Sequence, residues 1–397
     1  MMELYMDSIH EYINLHKEEM LLFWETLVNM QGGSKEKEKV NRIMDFLKES
    51  FEAEGLTCRL IDSQGNANVL VAVDGFDRPA KPIILSGHTD TVFPDGSYPK
   101  NPFHIKDGIA YGPGVIDMKG GIAIILYVIK ALHHLGYKER PIKVILVGDE
   151  EIGHAGSISS QILMEEAKGG LCAFNMEIGR PDNCLTTGRK GGVDCHITVH
   201  GVGGHVGNDF LKGRNAILEM SYKIPLLQNL TQYEKGVVVS VDVIHGGTVS
   251  NAIPDCCKAE LDIRYNKVDD MDAICQKVRD VCSQTFIEGT TTKVEFISPM
   301  PAFEDTKANH QLLDYINATI TKYGFQPFGS IFVGGNSDAS FLAMAGVPTV
   351  CSFGVVGTGA HTMNECAIVD SLFERTKIVT ASIMELKDYE LNWRNKR

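Results

Sequence analysis

The chain has 397 residues, of which 44% are hydrophobic, and its formal net charge is −13. This length favours two domains, and the acidic balance argues against nucleic acid or an anionic membrane as a partner. No run of about 18 apolar residues occurs, so no membrane span is predicted. The ten cysteines form no Cys-x-x-Cys pair, and the acidic start of the chain does not resemble a secretory signal. We therefore expect free thiols and a cytoplasmic location.

Two amphipathic helices are predicted near the start, over residues 7–30 and 35–54, the second ending at Gly55. Short, continuous apolar runs then alternate with helical stretches, which are clearest at 119–135 and 157–167. Continuous apolar strands that alternate with helices are typical of an α/β fold with a mostly parallel sheet.

Residues 192–300 follow a different pattern, in which apolar and polar residues alternate with a period of two, as along 193–199. The predicted elements are strand 192–200, helix 213–229, strand 237–244, strand 257–265, helix 269–288 and strand 293–299. This β-α-β-β-α-β order is the ferredoxin-like arrangement. We therefore predict a larger α/β domain of residues 1–190 and 301–397, with a ferredoxin-like domain of residues 191–300 inserted into it.

Side chains suited to metal binding follow four of the apolar strands. They are His88 and Asp90 after 83–86, Asp149 to Glu151 after 144–147, Glu177 after 172–175, and His361 beyond 349–353. A further carboxylate, Asp117, lies in a glycine-rich turn just before a helix. Because the sites of open α/β sheets form at the carboxyl ends of strands, these side chains are expected to converge.

Imidazole and carboxylate groups together are typical of catalytic zinc. Two metal ions ~3.5–4 Å apart need a bridging carboxylate and a bridging water, whose pKa falls towards ~7. A free carboxylate nearby can then take the proton, and the pair Glu150-Glu151 offers such a base beside a ligand.

Each of these motifs alone is more often an ordinary polar loop, and only their joint occurrence at strand ends favours a metal site. The other histidines considered are interpreted as ordinary polar residues: His133, His134, His154, His196 and His200.

Seven segments occur in order along the chain: SGHTD at 86–90, GPGVIDMKGG at 112–121, DEE at 149–151, GHVG at 204–207, NAIP at 251–254, GNSD at 335–338 and AHTMNE at 360–365. Together they resemble the zinc metallopeptidase family of glutamate carboxypeptidase, acetylornithine deacetylase and succinyl-diaminopimelate desuccinylase. The resemblance extends over essentially the whole chain. It implies that the inserted domain is a lid that also forms a homodimer.

The resemblance also implies a ligand set for two divalent ions, expected to be Zn²⁺, with Co²⁺ or Mn²⁺ as alternatives. One ion would be held by His88, Asp117 and Glu177, and the other by Asp117, Glu151 and His361, with Asp117 bridging. The peptide bond after Asp117 would be cis. Several relatives have an aspartate where Glu177 stands.

The implied catalytic residues are Glu150, Asp90 and His205. Glu150 would be the general base that activates a metal-bridging hydroxide, Asp90 would orient His88, and His205 would polarise the scissile carbonyl, within its own chain or across a dimer interface. Substrate contacts are implied for Asn251, Arg264 and Ser337. The segment at 335–338 reads Gly-Asn-Ser-Asp where the family more often has Gly-x-Thr-Asp, which leaves the contact of Ser337 open.

The sequence therefore predicts a di-zinc hydrolase that cleaves a peptide or N-acyl amide bond next to a free carboxylate, with glutamate-carboxypeptidase-like cleavage as the first choice. Its substrate would be a small peptide or an N-acyl amino acid. The alternatives are an N-acyl-amino-acid deacylase, an aminopeptidase of short peptides, and a non-catalytic binding protein of the same fold. The last of these would be favoured by a missing ligand or base, and the sequence lacks neither.

Overall fold

The computed structural model describes residues 2–386, and their side chains from residue 7 onwards. The helices are α1 Met2–Leu15, α2 Lys17–Asn29, α3 Lys37–Ala53, α4 Gly120–His134, α5 Ser159–Ala167, α6 Val206–Asp209, α7 Ala216–Gln228, α8 Val268–Ser283, α9 Lys307–Lys322, α10 Ala339–Met344 and α11 Val369–Glu385.

The strands are β1 Thr57–Ile61, β2 Val69–Asp74, β3 Ile83–His88, β4 His104–Lys106, β5 Ile109–Tyr111, β6 Ile142–Val147, β7 Cys172–Asn175, β8 Cys184–Arg189, β9 Gly191–His200, β10 Gly204–His205, β11 Val238–Gly246, β12 Ala252–Ile253, β13 Cys256–Tyr265, β14 Thr291–Met300, β15 Gly329–Val333, β16 Thr349–Cys351, β17 Gly357–Thr358 and β18 Cys366–Ile368. No helix among residues 2–386 combines the length and the apolar character needed to cross a membrane.

The chain divides into two compact units. The large unit comprises Met1–Gly188, Asp305–Phe332 and Ser337–Arg397, and the small unit comprises Arg189–Glu304 and Val333–Asn336. The small unit is thus longer than the insertion predicted at 191–300, and it gains a short segment from later in the chain. The functions predicted for the two units stay predictions.

The large unit contains an eight-stranded mixed sheet in the order β1-β2-β6-β3-β7-β16-β8-β15. Strands β6, β3, β7 and β16 run parallel to one another, which confirms the predicted α/β class. Strand β3 is buried along its whole length. Helix α4 is also apolar on nearly all sides and packs against β3 and α11, as expected for a helix in the interior.

The single helix predicted over residues 7–30 is wrong, because the structure has two helices that meet at His16. The backbone of His16 leaves the helical region, with φ −103° and ψ 12°. Its ring stacks on Tyr12 at 4.1 Å between centroids, and its Nδ1 lies 2.7 Å from the Tyr12 carbonyl oxygen. The break is therefore stabilised by a side-chain contact that hydrophobic periodicity does not report.

The small unit has the predicted β-α-β-β-α-β order, built from β9, α7, β11, β13, α8 and β14. Its sheet has the strand order β11-β13-β9-β14, and every neighbouring pair is antiparallel. The apolar positions of the alternating pattern form its core, which includes Val193, Cys195, Ile197, Val199, Ala259, Leu261 and Ile263.

Helix α8 ends at Ser283 rather than at the predicted residue 288. The carboxylate of Glu219 accepts hydrogen bonds from the backbone N–H groups of Phe286, at 2.9 Å, and Ile287, at 2.6 Å. Glu219 also pairs with Lys223 at 2.9 Å, and both side chains have 0% exposure. Lys223 donates to the carbonyl oxygens of Cys282 and Gln284. This buried ion pair therefore fixes the chain where it leaves α8.

We expect Glu219→Gln to lower the free energy of unfolding by ~3–5 kcal/mol, because it leaves the Lys223 ammonium buried without a counter-charge. Urea denaturation measures this change. The matched control is Glu295→Gln, which removes a solvent-exposed partner of Lys293 and should have little effect. Equal effects of the two substitutions would contradict the prediction.

Candidate metal centre

The predicted ligands meet at the carboxyl edge of the parallel strands. Strand β3 ends at His88, which lies level with Val147 at the end of the neighbouring strand β6. Residues 149–151 follow β6 directly, and Glu177 follows β7 on the other side of β3. Parallel pairing therefore brings together residues that are far apart in the sequence.

Two groups of side chains have ligand atoms within 4.8 Å of one another: His88, Asp117 and Glu177, and Asp117, Glu151 and His361. Asp117 belongs to both groups. Its Oδ1 lies 3.0 Å from Nε2 of His88, and its Oδ2 lies 3.1 Å from Nε2 of His361. The structure thus brings together all five predicted metal ligands, with the two oxygens of Asp117 facing different histidines as a bridging ligand requires.

The charges in this region fit divalent cations. Contacts with Asp117 and Glu151 raise the pKa of His361 to about 11. Burial alone would lower the pKa of His88, but Asp117 and Asp90 hold it well above its ordinary value. The carboxylates around each imidazole thus favour a positive charge at this position. A metal ion bound to the neutral imidazole would supply that charge in place of a proton. The nitrogen and oxygen donors suit zinc.

Glu365 holds the segment that carries Asp117. Its carboxylate accepts hydrogen bonds from the backbone N–H groups of Gly114 at 2.9 Å, Ile116 at 2.8 Å and Asp117 at 3.0 Å. Burial raises the pKa of Glu365 to about 7. The Asp117–Met118 peptide bond is cis, which confirms the expectation from the resemblance. Glu365 is the last residue of the AHTMNE segment at 360–365, and the sequence did not predict a role for it.

A glycine lets β3 approach this segment closely. A Cβ atom at Gly87 would lie 2.0 Å from Cε of Met118, so any larger residue would displace the Met118 side chain or the strand. The backbone N–H of His88 lies 3.2 Å from Sδ of Met118. The ligand at the end of β3 and the turn around Asp117 are therefore packed directly together.

Asp90 is fully buried and connects three neighbours. Its Oδ1 lies 3.3 Å from Nδ1 of His88, and its two oxygens accept from the backbone N–H groups of Glu150 at 3.3 Å and Glu151 at 3.2 Å. Burial raises the pKa of Glu150 well above its ordinary value, and Glu177 adds to this effect. A nearby divalent cation acts in the opposite direction, because it favours the carboxylate form.

His154 is buried, so the interpretation of it as an ordinary polar residue is wrong. Its Nδ1 lies 2.8 Å from Oδ1 of Asp149, and its Nε2 lies 2.7 Å from Oδ1 of Asp338. The other oxygen of Asp149 accepts from the hydroxyls of Ser157 at 2.5 Å and Ser159 at 3.0 Å. The loop after β6 is therefore tied to the start of α10, a link that no sequence spacing indicates.

Ser337 lies at the start of α10 and is buried. Its hydroxyl accepts a hydrogen bond from the backbone N–H of Ala339 at 3.1 Å, which helps to begin the helix. The substrate contact inferred for Ser337 stays a prediction.

The small unit brings His205 and Asn251 together. His205 pairs with Ala252 across β10 and β12, and the carbonyl oxygen of Asn251 accepts from the N–H of Val206 at 3.1 Å. The His205 side chain is exposed, and its Nδ1 accepts from the N–H of Gly207 at 3.1 Å. These two predicted residues are therefore neighbours in an exposed part of the small unit.

Arg264 lies in the same unit but near the far end of β13. Its Nε and Nη2 donate to the carboxylate of Asp262 at 2.7 and 2.6 Å, and its Nη1 donates to the amide oxygen of Asn336 at 3.1 Å. The opposite end of β13 is Cys256, which follows β12 and therefore lies near Asn251 and His205. From Cys256 to Arg264 an extended strand spans about 26 Å. Within one chain, Arg264 therefore lies too far from His205 and Asn251 for the three side chains to form one site.

Comparison with known proteins gives one family and several relatives. The model of peptidase family M20/M25/M40 matches residues 84–385. Carboxypeptidase G2 of Pseudomonas sp. is 29% identical over 368 residues, covering 91% of this chain and 88% of the relative. Succinyl-diaminopimelate desuccinylase of Ehrlichia canis is 28% identical over 365 residues, covering 85% and 91%. The resemblance found in the sequence is confirmed.

Solved structures share the fold. A tripeptidase from Staphylococcus aureus has a TM-score of 0.78 at 22% identity, covering 94% of this chain and 98% of its own. An aminopeptidase from Bacillus cereus has a TM-score of 0.77 at 22% identity, covering 93% and 98%. At these identities the similarity establishes the architecture only.

We expect Glu365→Gln to weaken metal binding by ~10–100-fold, because one carboxylate oxygen becomes an NH2 group that cannot accept from the N–H of Gly114 and the negative charge behind the turn is lost. Titration of the metal-free protein against a competing zinc indicator measures this affinity, with about two ions bound per wild-type chain. Glu165→Gln, at a side chain that is 71% exposed, is the control. Wild-type affinity in the Glu365 variant would show that Asp117 is positioned without this carboxylate.

Proposed function

Since the chain belongs to peptidase family M20/M25/M40, we propose that it is a di-zinc hydrolase that cleaves a peptide or N-acyl amide bond next to a free carboxylate. The family and its carboxypeptidase and desuccinylase relatives identify the chain as a hydrolase. The observation that carries the finer proposal is the bridging position of Asp117 between two ligand groups, with the partly buried Glu150 next to Glu151.

The metal ions would be held by His88, Asp117 and Glu177 on one side and by Asp117, Glu151 and His361 on the other. When bound, two zinc ions supply Lewis-acid polarisation of the substrate carbonyl and lower the pKa of water. The His361 side chain is 54% exposed, so this side of the centre is open to solvent and to a substrate.

Glu150 is the group we assign to proton transfer. Its carboxylate would take a proton from the attacking water as the C–O bond forms. It would then deliver that proton to the amide nitrogen as the C–N bond breaks. Asp90 supports both steps, because its carboxylate fixes the backbone of Glu150 and the ring of His88. His205 would stabilise the oxyanion that develops on the carbonyl oxygen.

A free carboxylate next to the scissile bond is proposed from the similarity to carboxypeptidase G2 and from Arg264. Two of the guanidinium nitrogens of Arg264 contact Asp262, and Nη1 contacts only an amide oxygen. That Nη1 is therefore the donor we assign to the substrate carboxylate. The second contact would come from the partner subunit's Asn251, because Asn251 and Arg264 of one chain are separated by the length of β13. Arginine suits this role because its planar donors match a carboxylate.

Matched substrates test the proposal. The zinc-, cobalt- or manganese-loaded protein is assayed with N-acyl dipeptides ending in glutamate, the same compounds with an α-carboxamide, N-acetyl and N-succinyl amino acids, and unblocked dipeptides. We expect cleavage of the first compound and a loss of ~10²-fold or more in kcat/KM with the carboxamide. Preference for the N-acyl amino acids would favour a deacylase. A requirement for a free amine would favour an aminopeptidase and contradict the proposal.

We also propose a homodimer formed through the small unit. Strand β11 is an edge strand whose Val243 and Ile244 are 36% and 50% exposed. Helix α7 adds exposed Ile217 and Tyr222 in the same unit. An exposed apolar edge of this kind is a template for pairing with another chain. The separation of His205 from Arg264 further supports a site that draws on two chains.

A cytoplasmic location is proposed from the cysteines. All ten are free thiols in the described chain, and six of them are buried. A reducing compartment is the usual setting for such a chain.

Substitution of Glu150 and of Glu151 should impair different properties, turnover in the first case and metal affinity in the second. We expect Glu150→Gln to keep both metal ions and substrate binding while kcat falls by ~10²–10⁴-fold, because an amide cannot accept the proton. Glu151→Gln should lose affinity at one metal site, and excess metal should partly restore its activity. Metal analysis and kinetics separate these outcomes. The assignment fails if the two phenotypes are exchanged, or if Glu150→Gln is as active as the wild type.

Mixing two inactive variants tests whether His205 acts across the dimer. We combine Glu150→Gln chains with His205→Ala chains after dissociation and reassociation. If His205 serves the partner's centre, half of the dimers are mixed and each has one intact site, so activity should recover to about a quarter of the wild type. If His205 acts within its own chain, mixing restores nothing. Each variant mixed with itself is the control.

A further inference from the structure

The large unit contains a cavity of about 200 Å³ whose lining includes none of the five proposed metal ligands. Its lining is partly apolar, with Phe328, Val356 and Ile378. Arg375 lies among these side chains, and Asp370 and Glu374 at the rim are exposed. Arg180 is also part of the lining and pairs with Asp182 at 2.5 Å. The cavity thus combines an apolar wall, one buried cation and a rim that carries two exposed carboxylates and this paired arginine.

Arg375 is buried, with 4% exposure, yet no hydrogen bond or ion pair joins it to another residue between 7 and 386. Its Nη1 is inaccessible to solvent and has no acceptor in this part of the chain. The guanidinium lies over the ring of Phe328, 4.6 Å from the centroid. Burial lowers the pKa of Arg375 to about 10, so the group stays cationic at neutral pH.

A buried charge without a counter-ion is costly, and proteins ordinarily pair such groups. Asp370 and Glu374 are exposed, and neither forms an ion pair with the guanidinium among the described residues, although the charge of Glu374 raises the pKa of Arg375 against the effect of burial. An anion that enters the cavity would supply a counter-charge for the guanidinium of Arg375, which is part of the lining.

The remaining features restrict the ligand. The planar fork of arginine matches a carboxylate. The apolar wall suits hydrocarbon, and the acidic rim repels a multiply charged oxyanion while attracting an ammonium group. The volume lies below that of sites for drug-sized molecules.

We propose that this cavity binds a free apolar amino acid, with its carboxylate on Arg375, its side chain against Phe328 and Ile378, and its ammonium group towards Asp370 and Glu374. The site is separate from the metal centre, and the proposal does not depend on the reaction assigned to that centre.

The test uses the zinc-loaded full chain and follows the unfolding midpoint as leucine is added at constant ionic strength. Leucine amide lacks the carboxylate, 4-methylpentanoate lacks the ammonium group, and sulfate represents an oxyanion. We expect leucine to raise the midpoint most, 4-methylpentanoate less, and leucine amide and sulfate not at all. A rise with sulfate alone would mean an oxyanion site and overturn the amino-acid assignment, as would equal effects of leucine and leucine amide.

Arg375→Met keeps the unbranched apolar stem and removes the charge, so it should weaken leucine binding by about tenfold or more. Arg375→Lys keeps the positive charge but lacks the planar pair of guanidinium donors, so it should bind leucine with intermediate affinity. It serves as a second variant if Arg375→Met does not fold. Arg59→Met, at a side chain that is 56% exposed and outside the cavity, should bind as the wild type does. If the leucine response of both Arg375 variants equals that of the wild type, leucine binds elsewhere and the proposal is wrong.

Discussion

The candidate metal centre depends on one carboxylate whose two oxygens are held in fixed and opposite directions. Asp117 faces His88 with one oxygen and His361 with the other, at 3.0 and 3.1 Å. A side chain in a glycine-rich turn would ordinarily rotate, but three backbone N–H groups of this turn donate to the buried Glu365. The position of the bridge is therefore set by a second carboxylate that belongs to neither ligand group.

The same arrangement makes the centre electrostatically incomplete without cations. Five carboxylates lie close to His88 and His361 in the described part of the chain: Asp90, Asp117, Glu150, Glu151 and Glu177. Carboxylates in a buried site repel one another, and burial further opposes their charge. Divalent ions would remove both penalties, so metal binding and the stability of this edge of the sheet should be coupled. If divalent ions bind as proposed, the site would be most stable when it is filled.

The parts of this centre that the sequence predicts are those governed by strand ends. His88, Glu151 and Glu177 follow apolar runs, so topology alone brings them together. Glu365 and His154 were not predicted as functional groups because their partners are distant in sequence and include backbone N–H groups. Hydrogen bonds of this kind follow no periodicity.

In the small unit the predicted order of elements holds, because alternation of apolar residues reports the buried face of a strand. The helix boundaries are less accurate for a physical reason. Helix α8 ends early where Glu219 accepts from Phe286 and Ile287, and the break at His16 depends on its contact with Tyr12. Hydrophobic periodicity shows neither the tertiary hydrogen bonds that end α8 nor the local contact between Tyr12 and His16.

The length of β13 also limits how a catalytic site can be assembled. The strand runs for about 26 Å between the end near Asn251 and Arg264, whereas a dipeptide spans less than about 10 Å. His205 and Arg264 of one chain therefore cannot both contact one small substrate while this strand stays straight and paired. The proposed two-fold symmetric dimer would resolve the conflict, because the partner would supply the His205 that Arg264 of the same chain cannot reach, and two equal sites would result. In the proposed homodimer, the antiparallel sheet of the small unit would act as a spacer, and its length is the reason we expect His205 to serve the partner's site rather than its own.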